Sequence, residues 1–367
     1  MANEDKATRY HRLKRRASVL GAATQAFLLV VLLVSGASIA MREAAVDIAG
    51  RSFVPVVIAY VVMLGVLLEL VQLPWAFYSS MTLERRYGLS TQATAKWWID
   101  HLKAGGVALA FSIAAALIVL ALMRVSPERW WIYGAVAFTA ILVLLAQLAP
   151  VILLPLFYDL KPLTRDALRD RLLVLAERAG ARVLGVFEWR LSDRTKKANA
   201  ALTGIGATRR ILLSDTLLAD HSDDEIEVIL AHELAHHIHH DIWTGIALEA
   251  ALIGLGFYLA DGALARYGSS VGLVEKGDAA GLPLLVLAAG AVSLALMPVA
   301  TAVSRAHERR ADRYALTLTR NPSAFITAMK RLAAQNLAEE RPSLIARVFS
   351  THPSTAERID AAKEWQM

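Results

Sequence analysis

No cysteine occurs in the 367-residue chain, which excludes disulfides, thiolate-bound zinc and a cysteine nucleophile. Charge is scarce too: 20% of positions are charged, whereas 56% are hydrophobic. A soluble globular chain holds about 45–50% apolar residues, so this balance points to membrane spans. No internal repeat or low-complexity tract is present. The net charge of +6 raises the question of nucleic acid. However, the basic residues do not gather on one helix or stripe, and no recognition motif accompanies them. They fall between apolar segments, as topology signals do, so no nucleic-acid partner is expected.

Six stretches have the length of about 20 residues that crosses roughly 30 Å of hydrocarbon. They are 19–41, 53–74, 104–124, 131–157, 243–264 and 281–303. The first competes with a secretory signal, because a basic leader precedes it and Gly36, Ala37, Ser38 and Ala40 gather at its end. The long leader and long apolar stretch favour an uncleaved span. Arg12, Lys14, Arg15 and Arg16 precede span one, and Arg85, Arg86, Lys96 and Lys103 lie between spans two and three. The 42–52 and 125–130 connections are nearly charge-balanced. The positive-inside rule therefore places both termini in the cytoplasm. The expected organisation is a basic leader at 1–18 and four spans within 19–157, with a cytoplasmic loop at 75–103. A cytoplasmic α+β segment at 158–242, two spans at 243–303 and a cytoplasmic end at 304–367 complete it. Glu69 and Glu249 fall in or beside spans, either lining a wet cavity or reaching interfacial water.

Within 158–242, "LTRDALRDRLLVLAERAGARV" has helical periodicity with a stop at Gly180. Strand-like runs follow in "VLGVFEW", "ANAALTGIG" and "RRILLSD". Ser222 and Glu225 form a capping box, with Asp223 and Asp224 favourable at a helix N-terminus. That helix carries "HELAHHIHHD", whose His232 and His236 lie four apart on one face with Glu233 beside the first. This is H-E-x-x-H, in which two neutral imidazoles bind zinc and the glutamate reaches a water on the metal. His237, His239 and His240 read as a solvated polar face. Gly at 239 and His at 242 would extend the motif to a histidine third ligand; His239 and Ile242 stand there instead.

A catalytic zinc needs a third protein ligand and an open position. After span six, "SRAHERRADRYAL" places Glu308 and Asp312 four apart on one helical face. Glu308 suits a zinc ligand, and Asp312 suits an acceptor for a ligand histidine. His307 is the rival ligand but lacks that paired carboxylate.

With both motifs in view, the chain resembles the type I CaaX prenyl endopeptidases and their bacterial relatives, from about residue 65 to the C-terminus. The resemblance rests on "LPWAFYSSMTLERRYGLSTQ", "NAALTGIGATRRILLSDTLL", "HELAHH", "SRAHERRAD" and "THPSTAERI". It implies a mainly α, polytopic membrane fold: a ring of about six helices around a chamber, with a small α+β thermolysin-like core. It matches His232, His236 and Glu308 to the zinc ligands, Glu233 to the catalytic base and Asp312 to the acid behind a ligand. It also matches Asn199 to a residue beside the substrate cleft, and His352 and Arg358 to a C-terminal motif near the substrate. Ala201 stands where the family often has an aromatic; Ala235 and His237 stand for the Gly and Trp of eukaryotic members.

The resulting expectation is a zinc metalloendopeptidase with one Zn²⁺ per chain, hydrolysing peptide bonds by a zinc-activated water with Glu233 as general base. The peptide would add as a strand along 199–206, and His352 would stabilise the oxyanion. Its partners would be a peptide or protein substrate, membrane-associated or lipidated, and the bilayer of a bacterial cytoplasmic membrane. The alternatives are a broad quality-control protease without prenyl preference, and a transporter or scaffold with a structural metal.

Overall fold

The computed structural model describes residues 5–148, 152, 154–204 and 209–366. Six of its helices are long and apolar enough to cross a membrane. The first, α1 (Lys6–Val34), begins well before the predicted span and ends earlier than residue 41. Gly36, at φ 76°, takes the left-handed conformation that stops the helix, and residues 37–41 belong instead to α2 (Ala37–Ala49). Helix α3 (Phe53–Phe77) runs through a π-helical turn at Tyr78–Thr82 into the short α4 (Leu83–Arg86). Next come α5 (Thr94–Val125) and α6 (Trp130–Leu148). The expected span 131–157 is described as α6 up to Leu148 and as α7 (Leu154–Phe157); 149–151 and 153 lie outside the described residues.

The extramembrane core begins with β1 (Leu160–Pro162) and α8 (Asp166–Arg178), followed by β2 (Val186–Trp189), β3 (Ala200–Thr203) and β4 (Arg210–Ser214). The sheet order is β1-β2-β4-β3, with β2 parallel to β4 and β3 antiparallel to it. Hence β3 is an edge strand, pairing Ala200 with Leu213 and Thr203 with Arg210, and among the described residues no strand pairs with its other side. Residues 205 and 206 of the predicted run lie outside the described residues.

Helices α9 (Asp215–Asp220) and α10 (Asp223–Ile238) lead into α11 (Asp241–Tyr267), the fifth span. Span six is part of α12 (Leu282–Thr319), a single 38-residue helix that leaves the apolar layer and continues into the extramembrane core. The chain ends with α13 (Pro322–Asn336), α14 (Leu344–Val348) and α15 (Thr355–Gln366). Leu172, Ile211, Leu230, Ala315, Phe325 and Ile359 share one apolar core, so the 158–242 and 304–366 stretches fold together.

The spans enclose a cavity of about 1240 Å³ with mostly apolar walls. Glu69 and Glu249 both line it, and Glu69 Oε1 lies 2.6 Å from His101 Nε2. Phe27, Val34 and Val136 are exposed and do not line the cavity, as lipid-facing residues would be. One polar cluster ties the first two spans to the extramembrane core: Glu84 accepts from Tyr10, from Lys14 at 2.8 Å and from Lys197 at 2.9 Å.

Candidate metal centre

Helix α10 is fixed at its start by the capping box expected from sequence: Ser222 N donates to Glu225 Oε2 at 2.8 Å, and Glu225 N donates to Ser222 Oγ at 3.4 Å. Ile226, Leu230, Ala231, Leu234 and Ala235 are buried around it, so the helix cannot rotate its histidines out of place. Packing of α10 against α12 then brings the two motifs together. His232 Nε2 lies 3.3 Å from Glu308 Oε2, and His236 Nε2 lies 3.4 Å from Glu308 Oε1.

The back of each imidazole faces a carboxylate. His232 Nδ1 is 2.9 Å from Asp312 Oδ1, and His236 Nδ1 is 2.9 Å from Asp241 Oδ2. Protonation at Nδ1 leaves both Nε2 lone pairs aimed at Glu308. Among the described residues, Glu308 Oε2 is buried and receives no hydrogen bond. The donor set suits a metal on its dimensions as well. Tetrahedral ligands about 2.0–2.1 Å from an ion stand about 3.4 Å apart, close to the two separations found here. Among the described residues, His232, His236 and Glu308 are the group of three whose ligand atoms converge in this way.

The other residues expected from sequence fall around this point. Glu233 faces a cleft of about 200 Å³ between α10 and the edge strand, bordered by Leu202, Gly204, His236, His237 and Trp243. Burial raises the Glu233 pKa, against the lowering effect of His232 and His236. Asn199 is exposed at the start of the edge strand. Its backbone is fixed, its N–H donating to Ser214 Oγ at 2.9 Å. His352 Nε2 reaches within 3.4 Å of Glu308 Oε1. Arg358 has a holding task that sequence did not foresee. Its Nε and Nη2 donate to Asp312 at 2.8 and 2.6 Å, so it bears on His232 through that carboxylate. His307 stays off the convergence point, its Nε2 3.3 Å from Thr244 Oγ1.

Asp241 was missed. His240 adopts φ 58°, a conformation unusual outside glycine, and this turn from α10 into α11 folds Asp241 back onto His236. Arg310, two residues after Glu308, donates to the same carboxylate. An Asp five residues past the second histidine was the available signal.

What folds in this way, with a metal-binding group set beside an open strand edge, is a multi-pass membrane metalloprotease. Comparison with known proteins gives the family. Residues 162–366 match the profile of Peptidase family M48, and 2–159 match that of the CAAX prenyl protease N-terminal region with five membrane helices. The chain belongs to peptidase family M48. Within 2–159, four described helices are long and apolar enough to cross, whereas α2 has only 13 residues. The chain is 33% identical to the uncharacterized metalloprotease YhfN of Bacillus subtilis, across 98% of this chain and 85% of that one. It is 28% identical to CAAX prenyl protease 1 of Saccharomyces cerevisiae, across 82% of this chain and 70% of that protein. The crystal structure of S. mikatae Ste24p has the same fold, with a TM-score of 0.84 at 24% identity over 98% of this chain and 89% of that one. The protein is thus a membrane metalloprotease that hydrolyses peptide bonds.

Proposed function

We propose that the metal is zinc, held by His232, His236 and Glu308, and that the enzyme is a CaaX-prenyl-protease-like endopeptidase acting on membrane-associated or lipidated proteins. The observation that carries this reading is the 3.3–3.4 Å spacing of the three ligands beside the free edge of β3. Zinc would polarise the scissile carbonyl and acidify the attacking water. The peptide lies against β3 as an added strand, its backbone bonded to an edge whose register β4 fixes, and Asn199 contacts it at the strand's start. Glu233, with its basicity raised by burial, takes the water proton and delivers it to the leaving nitrogen. His352 donates to the carbonyl oxygen as charge builds there. Asp312, held by Arg358, keeps His232 in its binding tautomer.

The apolar chamber supplies room for a lipid chain. A broader quality-control role, without prenyl preference, is favoured by His237 on the cleft wall, where eukaryotic members carry Trp. We place the chain in a bacterial cytoplasmic membrane with termini and site cytoplasmic. Lys14, Arg15 and Lys197 bind Glu84 or Glu339 across the N-terminal helix, the 75–103 loop and the extramembrane core, which supports one shared side. The basic residues support that side being cytoplasmic.

Glu233→Gln preserves shape and ligands, so metal should stay bound while hydrolysis falls by about 10²–10⁴-fold. That variant should retain substrates for mass spectrometry, and matched farnesylated and unmodified peptides then separate the two roles. Equal cleavage of the pair would contradict prenyl recognition.

A further inference from the structure

The unpaired edge of β3 has an end, and a side chain makes it. Asn199 O accepts from Ser214 N at 2.9 Å, so Asn199, Ala201 and Thr203 turn their backbone groups toward β4. The N–H and C=O of Ala200 and Leu202 therefore point the other way, to the unpaired side. The cleft beside Glu233 is bordered by Leu202 and Gly204, members of the same alternate set. These are the groups that a peptide added as a strand would bond.

Ala198 belongs to that set too, but its groups are taken. On the β4 side, Lys197 O accepts from Thr216 Oγ1 at 2.8 Å, and Asn199 N donates to Ser214 Oγ at 2.9 Å. Ala198, between them, faces away. Its N–H donates to Asn336 Oδ1 at 2.9 Å, and its C=O accepts from Asn336 Nδ2 at 3.2 Å. A carboxamide that bonds both groups of one residue imitates a residue of a neighbouring strand. Asn336 is the last residue of α13, and its place is set by the left-handed turn at Leu337 (φ 53°), where Ala338 N donates to Ala333 O at 2.8 Å. Further back the chain is paired with the 75–103 loop, Lys196 N donating to Leu89 O at 2.8 Å and Thr91 N to Arg194 O at 3.1 Å.

Ala198 is buried, so its backbone needs partners whether or not a substrate is bound. The bonds that supply them also close the edge. We propose that Asn336 sets the end of the substrate strand: its carboxamide fills the place of the next peptide residue, so backbone recognition stops at Ala200. A longer peptide must leave the edge there. Ala198 lies four residues before Leu202. About three peptide residues therefore fit between the cleft at Glu233 and the stop. This inference rests on strand addition at β3 and adds to it a limit on length at one end.

The probe is the better cleaved of the farnesylated and unmodified peptides, lengthened one alanine at a time at either end and N-methylated at single residues. With the full-length wild-type enzyme, kcat/KM should rise with length at one end and level off after about three residues. N-methylation should lower it at alternate residues before the plateau and at none beyond it. In Asn336→Ala the plateau should move outward, the next residues raising kcat/KM by roughly tenfold, about what two backbone hydrogen bonds supply. Comparing lengths within each enzyme cancels any general loss of activity. A wild-type kcat/KM that keeps rising at both ends would overturn the stop, and an unmoved plateau in Asn336→Ala would overturn the part of Asn336. Indifference of the wild-type enzyme to N-methylation at every residue would overturn strand addition itself, and this inference with it.

Discussion

Asp241 and Asp312 do the same job for the two histidines, each fixing the tautomer that leaves Nε2 free. Asp241→Ala should therefore weaken metal binding by about 10–100-fold, the usual effect of removing a carboxylate behind a ligand histidine. Competition with a chromophoric chelator measures this; an unchanged affinity would mean the His236–Asp241 bond orients nothing. His232 also makes the site pH-dependent. Burial lowers its pKa, but the neighbouring Asp312 and Glu308 carboxylates outweigh that and raise it from 6.5 to about 9. A metal takes the neutral imidazole, so below that pH a proton must leave as the metal binds. Affinity should rise with pH by up to about tenfold per unit for this one proton. Metal-free protein should behave in the opposite sense. A raised folded-state pKa contributes stability that is complete below 6.5 and is lost as pH rises through about 9. Its melting temperature should fall across that window, and a rise would contradict the assignment.

At the scale of elements, α10 was legible because its signals are local: a cap, a first turn rich in acid and two histidines at helical spacing. Ser222→Ala removes the cap acceptor and should cost about 1 kcal/mol, read as a lower melting temperature with metal stoichiometry retained. Helix α12 was half legible. Hydropathy marks where it leaves the membrane near residue 303 but not that the helix continues to Thr319, because charged residues such as Arg309 and Arg313 propagate a helix as well as apolar ones do. The left-handed turn at His240 was invisible for a related reason. Histidine is enriched at positive φ among non-glycine residues, but "HIHHD" holds three histidines and does not say which one turns. The edge position of β3 could not be read either, since pairing order depends on partners distant in sequence. Its short apolar run was visible; its open side was not.

For the whole molecule, the spans, the chamber and the shared core of 158–242 with 304–366 place one site at the membrane boundary. Sidedness is testable apart from chemistry. Reporter fusions after residues 46 and 270 should lie outside, and those after 95 and 220 inside; a fusion at 220 found outside would reverse the orientation. The central claim is that two motifs far apart in sequence meet to hold one catalytic zinc. Elemental mass spectrometry of purified wild-type, Glu233→Gln and Glu308→Ala proteins tests it most directly. The account predicts about one zinc per chain in the first two and almost none in the third, because of the two substituted glutamates Glu308 is the proposed ligand and Glu233 is not. Stoichiometric zinc in Glu308→Ala would contradict it.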